Sequence, residues 1–556
     1  MRSFLQKNPR LVFYGIWILL GLMQAGLTEL QDDEAYYWVY SRFLDWGYFD
    51  HPPMIAVLVK MGYAIFPNEL GVRLFPLLLN ILTLIIIEKL IDKKNPRLFY
   101  CIALSMAVIQ LMGFMAVPDT PLIFFTALFF LCYKRFLEKS SFVNILLLGV
   151  SMALLFYSKY HAVLVVFFVL LSNLNLFKKY SIYLAGLVAF ICIAPHLIWQ
   201  WEHDWVSFRY HLFESNVNAY KFSFTIEYIA GQLFLPGPVA GLILLPAALL
   251  YRPKNKLENA MRFVMVGIYA FFLLSSFRGK VEANWTTPAL VSLIILSHQY
   301  LNEKPNWQKW LFRLLPVTLF IVLFARVVMI IDLIPVKAIK ERFHSWKEWP
   351  AEMKKRTKGL PVVFSNSYQR ASKYWFYTGQ TTLSLNLYTE RKNNYNFWPI
   401  EDTLLGKPVY YLDVYGIGDP EDSLKTPIGL IRYRYDSAFV SFETVKIDIP
   451  RKFTIKQGDS LHVHGTNPDI VHSLYLREHP GTKYTISLVF FEGKKIVKEI
   501  PLNITLGGFH LKMASYSKTV SVQPDLPKGH YKMMFSMGVP GYNPTHNSVK
   551  ADLIIK

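Results

Sequence analysis

"QDDEAYYWVYSRFLDWGYFDHPP", residues 31–53, directly follows the first apolar run of a chain in which 53% of residues are hydrophobic and 18% are charged. It opens with three consecutive carboxylates, Asp32, Asp33 and Glu34, and closes with a carboxylate–imidazole pair, Asp50-His51, before two prolines. Acids beside a greasy segment have two readings. They are a solvated cap suited to a helix N-terminus, or they are a functional group held at the edge of a low-dielectric slab, where an unpaired charge is expensive.

The flanks say which kind of chain carries this stretch. Soluble chains average about 25% charged residues, so the composition points to a membrane protein. A bilayer span takes about 20 mainly apolar residues, and eleven segments qualify: 11–27, 70–91, 97–116, 119–137, 142–158, 160–177, 180–199, 227–250, 260–277, 284–300 and 310–333. The first resembles a signal peptide, but no small-x-small cleavage site follows, so it reads as a retained helix. Cys101, Cys132 and Cys192 all lie in apolar runs, which excludes a disulfide framework and a thiolate metal site.

The formal net charge of +20 would suit a nucleic-acid binder if the basic residues were gathered for one. They are not. With the N-terminus inside, every inner loop is basic: Arg2, Lys7 and Arg10; Lys89, Lys93, Lys94 and Arg97; Lys134, Arg135 and Lys139; Lys178 and Lys179; Arg252, Lys254 and Lys256; Lys304 and Lys309. Lysine and arginine stay inside, so this distribution sets an orientation and requires no nucleic acid. The chemically rich turns, QDDEAYYW, FDHPP, PDTPL, SKYH, WEHDW and RGKVEANW, then all emerge on the outer face. An odd number of crossings also places everything after about residue 334 outside. That part divides by pattern. Residues 336–437, with "GLPVVFSNS" and "GKPVYYLDV", read as a small α/β domain; 438–556, from "FVSFETVKIDI" through "GDSLHVHG" to "SVKADLIIK", alternate like a β-sandwich. The membrane domain is 1–335.

Several outer residues carry candidate chemistry. Asp32, Asp33 and Glu34, where they are not a cap, offer a general base or a cation site at the bilayer surface, and Tyr36 and Tyr37 offer an aromatic surface for an interfacial helix or for a sugar. Asp50 and His51 offer ligands for a divalent metal or a phosphate-bound ion, or form a plain turn. Pro53 suits the start of a short helix lying on the outer surface. Asp119 is a helix cap or projects into the same outer space. Lys159, outside against the charge trend, holds an anion such as a phosphate or snorkels to headgroups. Arg278 and Lys280, with Glu282 beside them, add charges that could neutralise a lipid phosphate. His203, between Glu202 and Asp204, lacks clean metal spacing; it and Asp50 are each candidate ligands for a divalent metal ion. "HVHG" at 462–465 reads as an alternating strand.

Taken together, "DEAYYW…GYFDHPP", "PDTPL", "SKY" and "GKVEANW" resemble the bacterial GT-C integral-membrane glycosyltransferases, relatives of the protein O-mannosyltransferases and of the aminoarabinose transferase of lipid A. The resemblance runs over residues 10–335 and is strongest in 28–76; "ASKYWFYTGQ" and "NNYNFWP" resemble the extramembrane domain that often follows. It implies a GT-C fold with about eleven membrane helices and outer juxtamembrane helices. It also implies a polyprenyl-phosphate-linked sugar donor and transfer on the extracytoplasmic face of the inner membrane. The family's acidic pair, whose Asp acts as general base or positions the acceptor, matches Asp33-Glu34, which implies Asp33 as the catalytic base with Glu34 beside it. The aminoarabinose transferases carry Phe-Glu-Lys-Pro-Pro where this chain has Phe49-Asp50-His51-Pro52-Pro53, so the carboxylate is kept and the lysine replaced. Lys159 matches a family lysine facing the lipid phosphate. The acceptor stays open between protein, lipid A and another glycan. Two rival functions stay open as well. One is a transporter or flippase for lipid-linked saccharide, disfavoured because no internal repeat is seen and the charge lies at the rim rather than the midplane. The other is a glycan-binding membrane protein using the sandwich.

Overall fold

The computed structural model describes residues 8–92, 94–215, 219–413, 420–467, 471–493, 495–506, 510–512 and 515–556; Arg2, Lys7 and Lys93 lie outside the described residues. The chain forms two compact units, Met1–His344 and Ser345–Lys556.

The first unit is helical. Among the described residues, six helices are long and apolar enough to cross a bilayer: Pro9–Leu27, Glu69–Leu90, Asp119–Glu138, Tyr180–Glu202, Lys256–Ser275 and Pro305–Ile330. Shorter apolar helices include Phe142–Ser158, Ala162–Ser172 and Gly241–Leu250. All eleven expected segments are helical, but not all are single helices. Segment 97–116 breaks at Met106 into Pro96–Ser105 and Ala107–Leu111. The Gln110 side-chain amide donates to the Leu104 carbonyl that the break leaves over. Segment 227–250 breaks between Phe222–Phe234 and Gly241–Leu250 at "LPGPVA". Two prolines there lack the N–H a helix requires. Gly237, at φ +137, permits a close approach to the Ser105 carbonyl that a Cβ would block at 2.2 Å.

Helix Ala289–Glu303 is buried along nearly its whole length, including Ser292, Ser297 and His298. A helix buried all round sits in the centre of a bundle. The helix Asp32–Arg42 is likewise covered from Glu34 to Ser41. Tyr36 and Tyr37 are therefore buried rather than on an outer aromatic surface, and the Tyr40 and Tyr48 rings stack at 3.9 Å. Met54–Ile65 starts after Pro53 as expected, and it exposes Val57, Met61 and Ile65 along one side while burying Ile55, Leu58 and Val59.

The second unit begins with a five-stranded sheet in the order β2-β1-β3-β5-β4, formed by β1 (Val362–Ser365), β2 (Thr382–Leu385), β3 (Val409–Asp413), β4 (Asp422–Thr426) and β5 (Gly429–Asp436). β1 is parallel to β2 and β3, and β5 is antiparallel to β3 and β4. The helix Tyr368–Thr378 joins β1 to β2 and stops at Gly379, whose φ of +70 suits glycine.

Two further sheets share one apolar core. Leu461, Val463, Val520 and Val522 from the three-stranded sheet meet Leu488, Phe490, Met533, Phe535 and Leu553 from the other. The boundary expected at 437/438 falls inside this unit. "FVSFETVKIDI" is not a strand. Its apolar residues enter the core, while the Glu401 carboxylate accepts the backbone N–H groups of Glu443 and Thr444 that a ladder would use. His462 and His464 sit on the open face of their strand.

Candidate active site

A cavity of about 990 Å³ opens at one end of the helical bundle. Most of the helices that line it do so near one end. Asp33 lies in the first turn of Asp32–Arg42, Asp119 begins Asp119–Glu138, and Lys159 follows Phe142–Ser158. Ser275 ends Lys256–Ser275, and Met329 is next to last in Pro305–Ile330. Asp33, Tyr37, His51, Asp119, Lys159, Arg278 and Glu282 all line this space. Seven of the candidate residues, drawn from five separate turns of the sequence, thus share one wall system.

The capping chemistry of residue 31 fixes Asp33. The Gln31 side-chain oxygen accepts the Asp33 N–H at 2.9 Å, and the Gln31 N–H donates to Glu34 Oε2 at 3.0 Å. Glu34 points the other way and does not line the cavity. Its Oε1 accepts from Arg73 Nε at 2.7 Å and from the Ala116 N–H at 2.8 Å, and its Oε2 accepts from Arg73 Nη2 at 2.5 Å. Arg73 donates in addition to the carbonyls of Ala25, Thr28 and Glu29. Both side chains are fully buried. Glu34 is therefore a staple between three segments. Two acids adjacent on a helix lie about 100° apart, so one faces the cavity and its neighbour the protein.

Asp119 and Lys159 face each other across the cavity floor at 2.9 and 3.1 Å. Asp119 also accepts from Asn284 Nδ2 at 2.9 Å and from Thr287 Oγ1 at 2.7 Å. Both charges are almost fully buried, which only a complete set of partners makes affordable. Arg278 is exposed at the rim, and its guanidinium has no hydrogen-bond or ion-pair partner among the described residues. Lys280 pairs with Glu282 at 3.6 Å and does not line the cavity.

His51 presents a neutral ring to the cavity. Burial pushes its imidazole down to about 3, with the Asp50 carboxylate pulling the other way and Lys159 adding to the depression. Its Nδ1 has no hydrogen-bond partner. Asp50 is buried behind it. Asp50 Oδ2 accepts the hydroxyls of Tyr36 at 3.3 Å and Tyr40 at 3.5 Å, and its carbonyl lies 2.8 Å from His211 Nε2. Tyr36 thus serves the loop rather than the cavity. His203 stacks on Trp199 at 4.0 Å, with Nδ1 at 2.9 Å from the Trp199 carbonyl. Asp50 Oδ2 and His203 Nδ1 thus each have partners within the protein.

One trio in the second unit, Glu401, Asp402 and His472, does bring ligand atoms within 4.8 Å. However, each Glu401 oxygen already accepts two hydrogen bonds, from Ser441 and the Glu443 N–H and from the Thr444 N–H and hydroxyl. That carboxylate is structural.

Sequence reasoning passed over Arg73, Arg326, Asn284, Thr287 and His211. Arg73 and Arg326 left a signal, a lone arginine inside an apolar run. Both lie near Phe114, at 5.5 and 6.0 Å from its ring centre, and Arg326 Nη2 donates to the Gln110 carbonyl at 2.5 Å. The broken segment that walls the cavity is thus clamped by two guanidinium groups. Asn284 and Thr287 left no signal beyond their motif, since their role depends on Asp119 being opposite.

Residues 50–199 match the family model described as dolichyl-phosphate-mannose-protein mannosyltransferase. A curated relative, the lipid A galacturonosyltransferase RgtD of Rhizobium johnstonii, is 24% identical over 321 residues, which cover 53% of this chain and 67% of that one. Among solved structures, the crystal structure of ArnT from Cupriavidus metallidurans bound to undecaprenyl phosphate superposes with a TM-score of 0.52 at 12% identity, covering 72% of this chain and 92% of that one. In family model, curated relative and fold alike, this chain resembles the GT-C integral-membrane glycosyltransferases.

Proposed function

We propose that the chain transfers a sugar from a polyprenyl-phosphate donor to an acceptor hydroxyl in this cavity, on the extracytoplasmic face of the inner membrane. The observation that carries the reading is the placement of Asp33 in one cavity with the cations Lys159 and Arg278. The cavity also has an apolar wall that includes Met112, Phe156, Leu164 and Phe272. A lipid-linked sugar phosphate needs those three environments. Asp33 accepts the acceptor's hydroxyl proton as a general base. The acceptor oxygen then bonds to the anomeric carbon as the bond from that carbon to the phosphate oxygen breaks. The phosphate leaves with the electron pair, and Arg278 and Lys159 neutralise it. His51 offers a neutral hydrogen bond where related enzymes have a lysine.

The residues nearby do not fit a divalent ion, because Asp50 is occupied by tyrosines and His203 by Trp199. No step is assigned to a metal. RgtD is a lipid A galacturonosyltransferase by name, so a lipid-linked saccharide is the first acceptor to test. The positive-inside distribution of the loops supports the orientation.

The test is transfer of radiolabel from polyprenyl-phosphate sugars to lipid and protein fractions by purified protein. Asp33→Asn is expected to lower transfer roughly a hundredfold or more while leaving the unfolding temperature unchanged. Arg278→Ala is expected to weaken donor binding. Near-normal transfer by Asp33→Asn would remove it as the base.

A further inference from the structure

The second unit carries an open groove of its own, of about 820 Å³. Strands Lys452–Ile455 and Ala551–Ile555 run side by side in parallel, so Lys456 and Lys556 leave the sheet together. Their backbones are tied there. The Lys556 N–H donates to the Ile455 carbonyl and the Gln457 N–H to the Lys556 carbonyl, both at 3.0 Å, and the Asp459 N–H closes the turn on the Lys456 carbonyl at 3.1 Å. Residues 525–528 form the other wall. Leu526 anchors it in the apolar core, and the Pro527 carbonyl accepts the Tyr531 hydroxyl at 3.1 Å. Both walls are thus held from within, while the side chains of Lys456, Lys528 and Lys556 stand exposed along the groove.

None of these three ammonium groups makes an ion pair or a side-chain hydrogen bond among the described residues. Asp525 is the one acidic residue in the lining, and Lys498 already approaches it at 3.4 Å. With Lys498 and an α-carboxylate on Lys556 both counted, four ammonium groups face two carboxylates. A cleft lined mainly by one sign of charge focuses its field and concentrates a counter-ion. The lining also excludes partners. It contains no aromatic residue and no exposed large apolar side chain. A protein partner needs such anchors, and a single-stranded nucleic acid needs rings to stack on. What the groove offers is point charges for phosphate or carboxylate, and donors and acceptors for hydroxyls from the Gln457 amide and the backbone at Gly458. Gly458 has a φ of +87, and a Cβ there would meet nothing within 4 Å, so that backbone is open to a ligand.

We propose that this groove binds an anionic saccharide, one whose sugar hydroxyls are accompanied by phosphate or carboxylate groups. The site is made entirely of residues of the second unit and does not depend on the proposed sugar transfer.

The experiment measures binding to the full chain in a non-ionic detergent by isothermal titration. The probes are an oligogalacturonate, a phosphorylated mannose oligosaccharide and, as the uncharged control, maltopentaose. At least one charged probe is expected to bind, more weakly as salt rises, and the stronger of the two identifies the anion. Lys456→Gln/Lys528→Gln is expected to weaken that binding roughly tenfold, and Lys456→Arg/Lys528→Arg to retain it. Both positions are exposed, so the unfolding temperature is expected to stay at the wild-type value in each. Binding that survives the glutamine variant belongs to other cations of the chain and overturns the proposal. Equal binding of maltopentaose overturns it too, as does failure of both charged probes to bind. Tighter binding of polyglutamate or of phosphatidylglycerol micelles than of either charged saccharide would replace the saccharide by an acidic peptide or a lipid surface. Each of these failures leaves the proposed transfer intact.

Discussion

Lys159 and Asp119 stand forty positions apart in the chain and meet as a bidentate ion pair of 2.9 and 3.1 Å on the floor of one cavity. Under the proposed function the pair lies beside the donor phosphate, which would give its two partners a chemical role in addition to the structural one. Mutation can separate these roles. Lys159→Met leaves a buried carboxylate with only Asn284 and Thr287, and is expected to cost about 3–5 kcal/mol of stability. The double variant Asp119→Asn/Lys159→Met is expected to recover most of that loss and still not transfer sugar. Thermal unfolding in detergent, run beside the transfer assay, checks both halves. A single variant as stable as wild type would mean that the pair does not support the fold.

The neighbouring acids 33 and 34 are expected to respond oppositely. Glu34→Gln leaves Arg73 facing a neutral amide in a fully buried site, and Arg73→Lys loses the planar fork that binds two oxygens at once. Each is expected to lower the unfolding temperature by several degrees, whereas Asp33→Asn should not. Differential scanning fluorimetry of the three variants distinguishes them. If Asp33→Asn unfolds as early as Glu34→Gln, Asp33 has a structural role that its position in the cavity does not reveal.

In the second unit, Glu443 sets a pH dependence. Its Oε1 accepts from the Asn386 N–H and Asn396 Nδ2, both at 2.8 Å, and its Oε2 has no partner. Burial, and then the nearby Glu401 carboxylate, raise its pKa well above the ordinary value. A folded-state value above the unfolded one means that the folded unit holds this proton more tightly. The resulting stability is full below the unfolded carboxyl value and is lost as pH rises through the raised one. Glu443→Gln keeps the acceptor oxygen and cannot ionise. The unfolding temperature of the second unit should therefore fall less with rising pH in the variant than in wild type. Parallel pH profiles would contradict the assignment.

Much of the site was legible because membrane chemistry is severe. A charge in or beside an apolar run has to be paired or used, so Asp33, Asp119, Lys159 and Arg278 stood out, and all four line the cavity. Less was legible where two readings cost the same. Asp50 and His51 looked like equal ligands, yet the structure turns Asp50 to Tyr36 and Tyr40 and leaves the His51 ring at the cavity. His203 looked available, but its ring lies on Trp199. In the second unit, alternation predicted a strand at "FVSFETVKIDI", where buried Glu401 captures the backbone instead.

The sequence by itself determined that this is a multi-helix membrane chain, that its reactive turns gather at one end of the bundle, and that a sheet-rich unit follows. Apolar length and charge placement are properties of each segment alone, and the bilayer acts on them locally. Only the tertiary structure decided which acid faces the cavity, which lysine has a partner, and where helices 97–116 and 227–250 break. Those outcomes depend on what lies opposite a side chain once distant segments have packed. Glu34 became a staple because Arg73 arrived beside it, while Asp33, one position earlier on the same helix, lines the cavity.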